Sequence, residues 1–204
     1  MSAFTKKEMA MMKRLNTPAK MQDFLNQIPI NFEKNGVDTV KSPIMVLRAQ
    51  SAHCIEAAIL GAYILSLHGY QPLLVHLAST KIDKDHVIAP FRIKGYWGAL
   101  SKGNHVTLRY RDPVYKTIRE LAMSYFNEYY LENGAKTMRS YSKPLNLKTF
   151  SSDWIVQKDD LWDIDNKLDK IKHYDIAPKD IIRSLRKADL IERKALDLTE
   201  YDSN

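Results

Sequence analysis

One sulfur and one imidazole define the chemistry this chain can attempt. Cys54 is the only cysteine in 204 residues. It stands where a polar lead, Gln50 to His53, gives way to an apolar run, Ile55 to Leu67, that closes at Gly69. The run is too long for an ordinary strand and ends in a glycine stop signal, which predicts a helix. It is apolar nearly all round, which predicts burial. Cys54 then falls in the first turn, where unpaired N–H groups and the helix dipole favour an anion and lower a thiol pKa. A thiolate so placed is a nucleophile. It needs an imidazole to take the thiol proton and return it to a leaving amine. The nearest strand candidate downstream is His86, in Asp85-His-Val-Ile-Ala. A third polar group should hold the imidazole tautomer. Each residue also has a structural reading: a lone cysteine on an apolar helix is a small core side chain, and His86 is a half-buried strand residue bonded to backbone.

The elements that must position these groups follow from pattern. Residues 1–15 predict a short amphipathic helix with Met9, Met12 and Leu15 on one side. Thr17-Pro18 is a helix start, with Thr17 capping and Pro18 in the first position. Residues 31–43, with Asn35-Gly36 and Ser42-Pro43, read as loop. After the central helix the period drops to two. Strands are expected over Gln71–Ser79, His86–Ile93, Tyr96–Leu100 and His105–Tyr110, joined by short turns as an antiparallel meander. Asp112-Pro113 is read as the start of the next helix, with Asp112 as its cap. An apolar stripe from Ile118 to Tyr129 and a stop at Gly134 complete that helix. Residues 135–152 read as an irregular connection, and two helices are expected near 159–173 and 178–196.

Composition bounds the alternatives. A single cysteine excludes an intramolecular disulfide and a multi-cysteine zinc site. His76 and His105 lack ligand spacing, so no metal is expected. The first residues hold no apolar signal core and no run reaches membrane length, so the expectation is a cytoplasmic protein, or one exported without such a signal. The formal charge of +7 is uneven: residues 1–150 hold 21 Lys and Arg against 11 Asp and Glu, and residues 151–204 hold ten against 13. The basic residues are scattered without a nucleic-acid motif, so solvated surface charge is favoured over nucleic-acid binding. The sequence sets no oligomeric state.

Several pieces in order resemble a known family. Thr17-Pro18 with Gln22-Asp-Phe-Leu25, His53-Cys54-Ile-Glu56-Ala-Ala, His68-Gly69-Tyr-Gln-Pro72, Asp85-His86-Val and Gly95-Tyr-Trp97-Gly98 together look like a bacterial-type transglutaminase-like domain, over about residues 16–110. The resemblance implies a papain-like α+β fold with a Cys-His-Asp triad, in a family of proteases, amidases, acyl transferases and inactive members. Cys54 matches the nucleophile and His86 the base. The third position departs: Trp97-Gly-Ala-Leu-Ser101-Lys-Gly-Asn104 has no Asp. Ser101 or Asn104 can accept from an imidazole N–H, but neither carries charge. Gln50, four residues before Cys54, is a candidate oxyanion donor with the Cys54 N–H. His53, beside Cys54, is a tempting second base, but adjacent helical residues point apart, so it is expected at the cleft rim or in solvent. Glu56 is expected to be structural, with a Lys or Arg partner. His68 suits the helix C-terminus, and Trp97 is a candidate cleft wall.

The expectation is an α+β chain: a transglutaminase-like domain over 1–150, and a helical C-terminal extension over 151–204. Its function is a thiol-dependent hydrolase or acyltransferase acting on a peptide-like amide, without metal or organic cofactor. The alternative is a degenerate transglutaminase-like fold that binds a peptide or protein.

Overall fold

In the computed structural model the described residues are 4–33 and 36–200. The first three residues of the expected N-terminal helix, Asn35 of the expected turn and residues 201–204 lie outside them. Helix α1 (Lys6–Arg14) starts with a capping box: the Thr5 hydroxyl accepts the Glu8 N–H at 3.1 Å, and the Glu8 carboxylate accepts the Thr5 N–H at 2.6 Å. Helix α2 (Pro18–Gln27) has Thr17 as cap and Pro18 in its first turn, and it buries Met21, Gln22 and Leu25. Ser42-Pro43 obeys the same grammar. It opens a helix, α3 (Pro43–Ala49), where the loop was expected to run to Pro43. Gln50 ends α3 in the left-handed region, φ 50°.

Helix α4 (Cys54–Leu67) is the axis of the molecule. Ile59, Leu60, Ala62, Ile64 and Leu65 are wholly buried, as an all-apolar helix requires. Truncating one of the large ones to alanine would cost about 2–5 kcal/mol. Gly61 lets the helix approach the sheet, since a Cβ there would lie 2.9 Å from Leu100 Cδ1. The chain leaves α4 through Gly69, φ +84°.

Strands β1 (Leu73–Ala78), β2 (His86–Ile93) and β3 (Tyr96–Leu100) form the expected antiparallel meander. The β2–β3 turn places Lys94 and Gly95 both at positive φ, 48° and 91°, which matches the twist of a two-residue hairpin. The fourth strand is β4 (Arg111–Tyr115), not 105–110, and residues 101–110 are irregular. Asp112-Pro113 therefore lies within a strand, and Asp112 caps no helix. Pro113 is tolerated because β4 is the sheet edge. Helix α5 (Ile118–Met123) starts later, capped by Thr117, and gives way to a short 3-10 turn at Phe126–Glu128.

The supposed irregular connection holds β5 (Ser140–Ser142) and β6 (Leu145–Asn146), both antiparallel to β1. The tail is less helical than expected. After α6 (Trp162–Lys170), strand β7 (His173–Asp175) pairs with β5, and the rest is two short helices, α7 (Lys179–Arg183) and α8 (Leu190–Arg193). The sheet runs β4-β3-β2-β1-β5-β7, with β6 beside β1. Its two faces bury different cores, because side chains alternate along a strand. Leu74, Val87, Ala89, Phe91 and Leu100 join the α4 core. Val75, Leu77, Ile88 and Ala99 pack with Leu121, Tyr125 and Met138 on the other face. The chain is thus α+β with an antiparallel sheet, and among the described residues no helix is long and apolar enough to cross a membrane.

Candidate active site

Cys54 occupies the first position of α4, where its N–H has no acceptor within the helix. Burial alone would push the thiol pKa up. Hydrogen bonds and positive charge from two imidazoles, His53 and His86, override it and hold the thiol well below its ordinary value.

His86 opens β2 and is buried. Its Nε2 lies 2.8 Å from the Ser101 hydroxyl oxygen. The direction of that bond follows from what holds Ser101. The Ser101 hydroxyl donates to the Leu108 carbonyl at 2.5 Å, so its oxygen can only accept from His86. His86 therefore carries its proton on Nε2, and Nδ1 is the nitrogen left for the sulfur. Ser101 is itself clamped by Gln22 on α2. The Gln22 Oε1 accepts the Ser101 N–H at 2.9 Å, and the Gln22 Nε2 donates to the Ser101 carbonyl at 2.8 Å. The sequence names Gln22 only within the resemblance, as the start of Gln22-Asp-Phe-Leu25, and gives it no role at the site.

Asn104, the other residue expected behind the imidazole, makes no side-chain hydrogen bond to His86 among the described residues; its backbone carbonyl accepts the Glu200 N–H at 2.7 Å and the Thr199 hydroxyl at 3.1 Å. Gln50 is not placed as an oxyanion donor. Its amide donates to the Leu47 carbonyl at 2.5 Å, and the residue is exposed and absent from the groove lining. The left-handed cap of α3 turns the side chain back on its own helix.

His53 is the residue that sequence reasoning misplaced. It is the cap of α4, and its partly exposed ring lines the groove beside Cys54, close enough to favour the thiolate, rather than facing away into solvent. The His53 Nε2 lies 2.7 Å from the Thr39 carbonyl, 3.3 Å from the Glu33 carboxylate and 3.6 Å from that of Glu56. Burial opposes its charge. The bond to Cys54, the charges of Cys54 and Glu56, and the Thr39 carbonyl prevail and raise its pKa to about 9.

Glu56 ties this end of the helix to the loop over 31–41. It accepts the His53 N–H at 3.0 Å, the Lys41 N–H at 3.1 Å, the Thr39 hydroxyl at 2.7 Å and the Lys41 ammonium at 3.3 Å. Lys41 is the cationic partner that a buried carboxylate requires. Burial would raise the Glu56 pKa, but His53, Thr39 and Lys41 lower it.

Cys54, His53 and His86 line an open groove of about 1930 Å³. That exceeds the roughly 300–1,000 Å³ of a small-molecule pocket. Phe32, Tyr129, Tyr130 and Trp162 are its aromatic lining. Trp97, a candidate wall but a core residue by the ordinary habit of strand tryptophans, lies outside the lining and packs against the second core, with Arg92 5.4 Å over its ring. The far side is built by the tail, including Leu190, Arg193 and Thr199. His68 holds α1 in place by bonding the Met12 carbonyl at 3.0 Å. His76 bonds Asp85 at 3.0 Å and His173 at 3.1 Å. Burial opposes the Asp85 charge, but His76 and the Ser79 N–H hold that carboxyl at about 2. Among the described residues no group of three or more His, Cys, Asp or Glu side chains is arranged to hold a metal ion.

No family model matches the chain. No curated protein matches it. Among solved structures it is similar to Legionella pneumophila LapG, and to the EGTA-treated form of that protein, each at a TM-score of 0.37 and 19% identity over 44% of this chain. The match spans 57% and 56% of those two chains, little more than half their length. A likeness this slight assigns no family, so the site's chemistry rests on its own geometry.

Proposed function

We propose that the chain is a thiol-dependent hydrolase or acyltransferase that cleaves an amide bond of a peptide or protein laid in the groove. The observation that supports this most is the triad-like line of Cys54, His86 and Ser101, with the tautomer of His86 fixed by Ser101 and Gln22. The thiol proton passes to His86 Nδ1. The thiolate attacks the carbonyl carbon, the C–S bond forms, and the carbonyl π pair moves onto oxygen, for which the Cys54 N–H is an available donor. Collapse breaks the C–N bond as His86 returns the proton to the leaving amine. Water or a primary amine then attacks the thioester and gives its proton to His86. The C–S bond breaks, its electron pair leaves on sulfur as the thiolate, and His86 keeps that proton for the next cycle. The scheme uses no metal or organic cofactor.

The architecture fits the transglutaminase-like order of elements, with a helix-borne cysteine before a strand-borne histidine. In this reading residues 151–204 are an extension that walls the groove, and a reducing, cytoplasmic setting keeps the lone thiol free. The neutral Ser101 behind His86 is the one observation that favours the second reading, a fold without turnover that only binds peptides. Incubation with a peptide library, with and without a primary amine, separates them by mass spectrometry. The enzyme reading expects new termini or amine adducts that vanish in Cys54→Ala. Products that persist in Cys54→Ala would refute it, and binding without products would establish the second reading.

A further inference from the structure

We propose that His53 is a second catalytic imidazole: it is the standing cation that holds Cys54 as a thiolate, which leaves His86 to carry protons. This rests on the reading of Cys54 as the nucleophile.

The two rings differ in what lies behind them. Behind His86 Nε2 is a hydroxyl whose only proton is directed at Leu108. A neutral oxygen orients the ring but adds little to an imidazolium's stability. Behind His53 Nε2 are the Thr39 carbonyl at 2.7 Å and the carboxylates of Glu33 and Glu56 at 3.3 and 3.6 Å. A carbonyl can only accept, so Nε2 of His53 is protonated. We place the second proton on Nδ1, the nitrogen left for Cys54, with two carboxylates alongside the ring. The negative charge missing behind His86 is thus supplied behind the other ring.

The charged groups facing His53 come from four elements: Glu33 from the loop over 29–41, Cys54 and Glu56 from α4, His86 from β2, and Asp165 from α6. Lys41 and Lys84 sit behind the carboxylates, at 3.3 Å from Glu56 and 4.0 Å from Glu33. The proton count closes. His53 takes its Nδ1 proton from solvent and keeps both ring protons through the cycle. The thiol's own proton goes to His86, then to the leaving amine, and is replaced from the incoming water or amine.

Because Cys54 is the only thiol, its alkylation by iodoacetamide reports this site alone. In His53→Asn the midpoint of the rate–pH profile should rise by at least one unit, about a tenfold loss of thiolate at a pH below both midpoints. His86→Asn should abolish turnover and shift the midpoint less. A folded His53→Asn whose midpoint stays in place while His86→Asn moves it would overturn the role of His53 and leave the thiol-enzyme reading intact. A wild-type thiol titrating near the free value of about 8.5 would overturn both. A second readout needs no substitution at His53. The wild-type His53 ring, followed by NMR, should stay protonated past pH 8 and titrate lower once Cys54 is carbamidomethylated. A His53 midpoint that ignores the blocking of Cys54 would also overturn the proposal.

Discussion

Ser101→Ala tests the orienting half of the site. The substitution removes one oxygen that makes two bonds, accepting from His86 at 2.8 Å and donating to Leu108 at 2.5 Å. Each abandoned partner is a buried or half-buried polar group, at about 1–3 kcal/mol apiece. The expected loss of stability, after water repairs part of it, is about 2 kcal/mol, read as a drop in the urea midpoint. Catalysis loses more specifically. Without the hydroxyl, His86 can turn or change tautomer, and a transition-state loss of about 1.4–2.8 kcal/mol lowers kcat by about 10- to 100-fold. Ser101 is 2% exposed and behind the ring, so substrate does not touch it and KM should hold. Ser101→Thr keeps the hydroxyl and should recover most of kcat. A Ser101→Ala enzyme within twofold of wild type, or one altered only in KM, would refute the assignment of Ser101.

Three further outcomes follow from the same geometry. Glu56→Gln turns an amide toward the His53 N–H and the Lys41 ammonium and should cost about 3–5 kcal/mol at neutral pH. Because the folded carboxyl of Glu56 is depressed, its contribution is present above an unfolded value of about 4.3 and lost as pH falls through the folded one, so urea midpoints of variant and wild type should converge in acid. Lys102 is fully buried, its ammonium has no hydrogen-bond partner among the described residues, and burial lowers its pKa; Lys102→Met should raise stability by about 1–2 kcal/mol in thermal melts at pH 7. Gly98→Ala would put a Cβ 2.6 Å from the Arg111 carbonyl and from the Phe91 ring, costing about 1–3 kcal/mol and exposing β3 and β4 amides to faster hydrogen exchange.

The parts legible in the sequence were those with strong local signals. Thr17-Pro18, the apolar run of α4 and the Lys94-Gly95 hairpin needed no distant partner to be recognised. The misses have definite causes. Ser42-Pro43 starts a helix by the same rule as Thr17-Pro18, but the polar residues before it made it look like loop punctuation. Strands β5, β6 and β7 are two or three residues long, too short for a period, and they exist only through pairing with each other or with β1. Asp112-Pro113 resembles a helix start, and only its place on a sheet edge shows otherwise.

The site divides the same way. Cys54 and His86 stood out by residue type and order. Ser101 and Asn104 were equal candidates until the Gln22 clamp placed one behind the imidazole. His53 was set at the rim by a rule for residues within a helix. As the cap it has extended backbone, φ −95° and ψ −170°, so the helical spacing that separates neighbours does not bind it. Gln50 failed for the converse reason, since its left-handed backbone directs the amide away from the groove.

The central claim is a sulfur held ionised between two imidazoles. The pH profile of iodoacetamide alkylation of Cys54 in the wild-type chain measures it most directly. The account predicts a rate already at its plateau at pH 7, with a midpoint well below the free-thiol value. A rate still climbing through about 8.5, as for an unassisted cysteine, would contradict it.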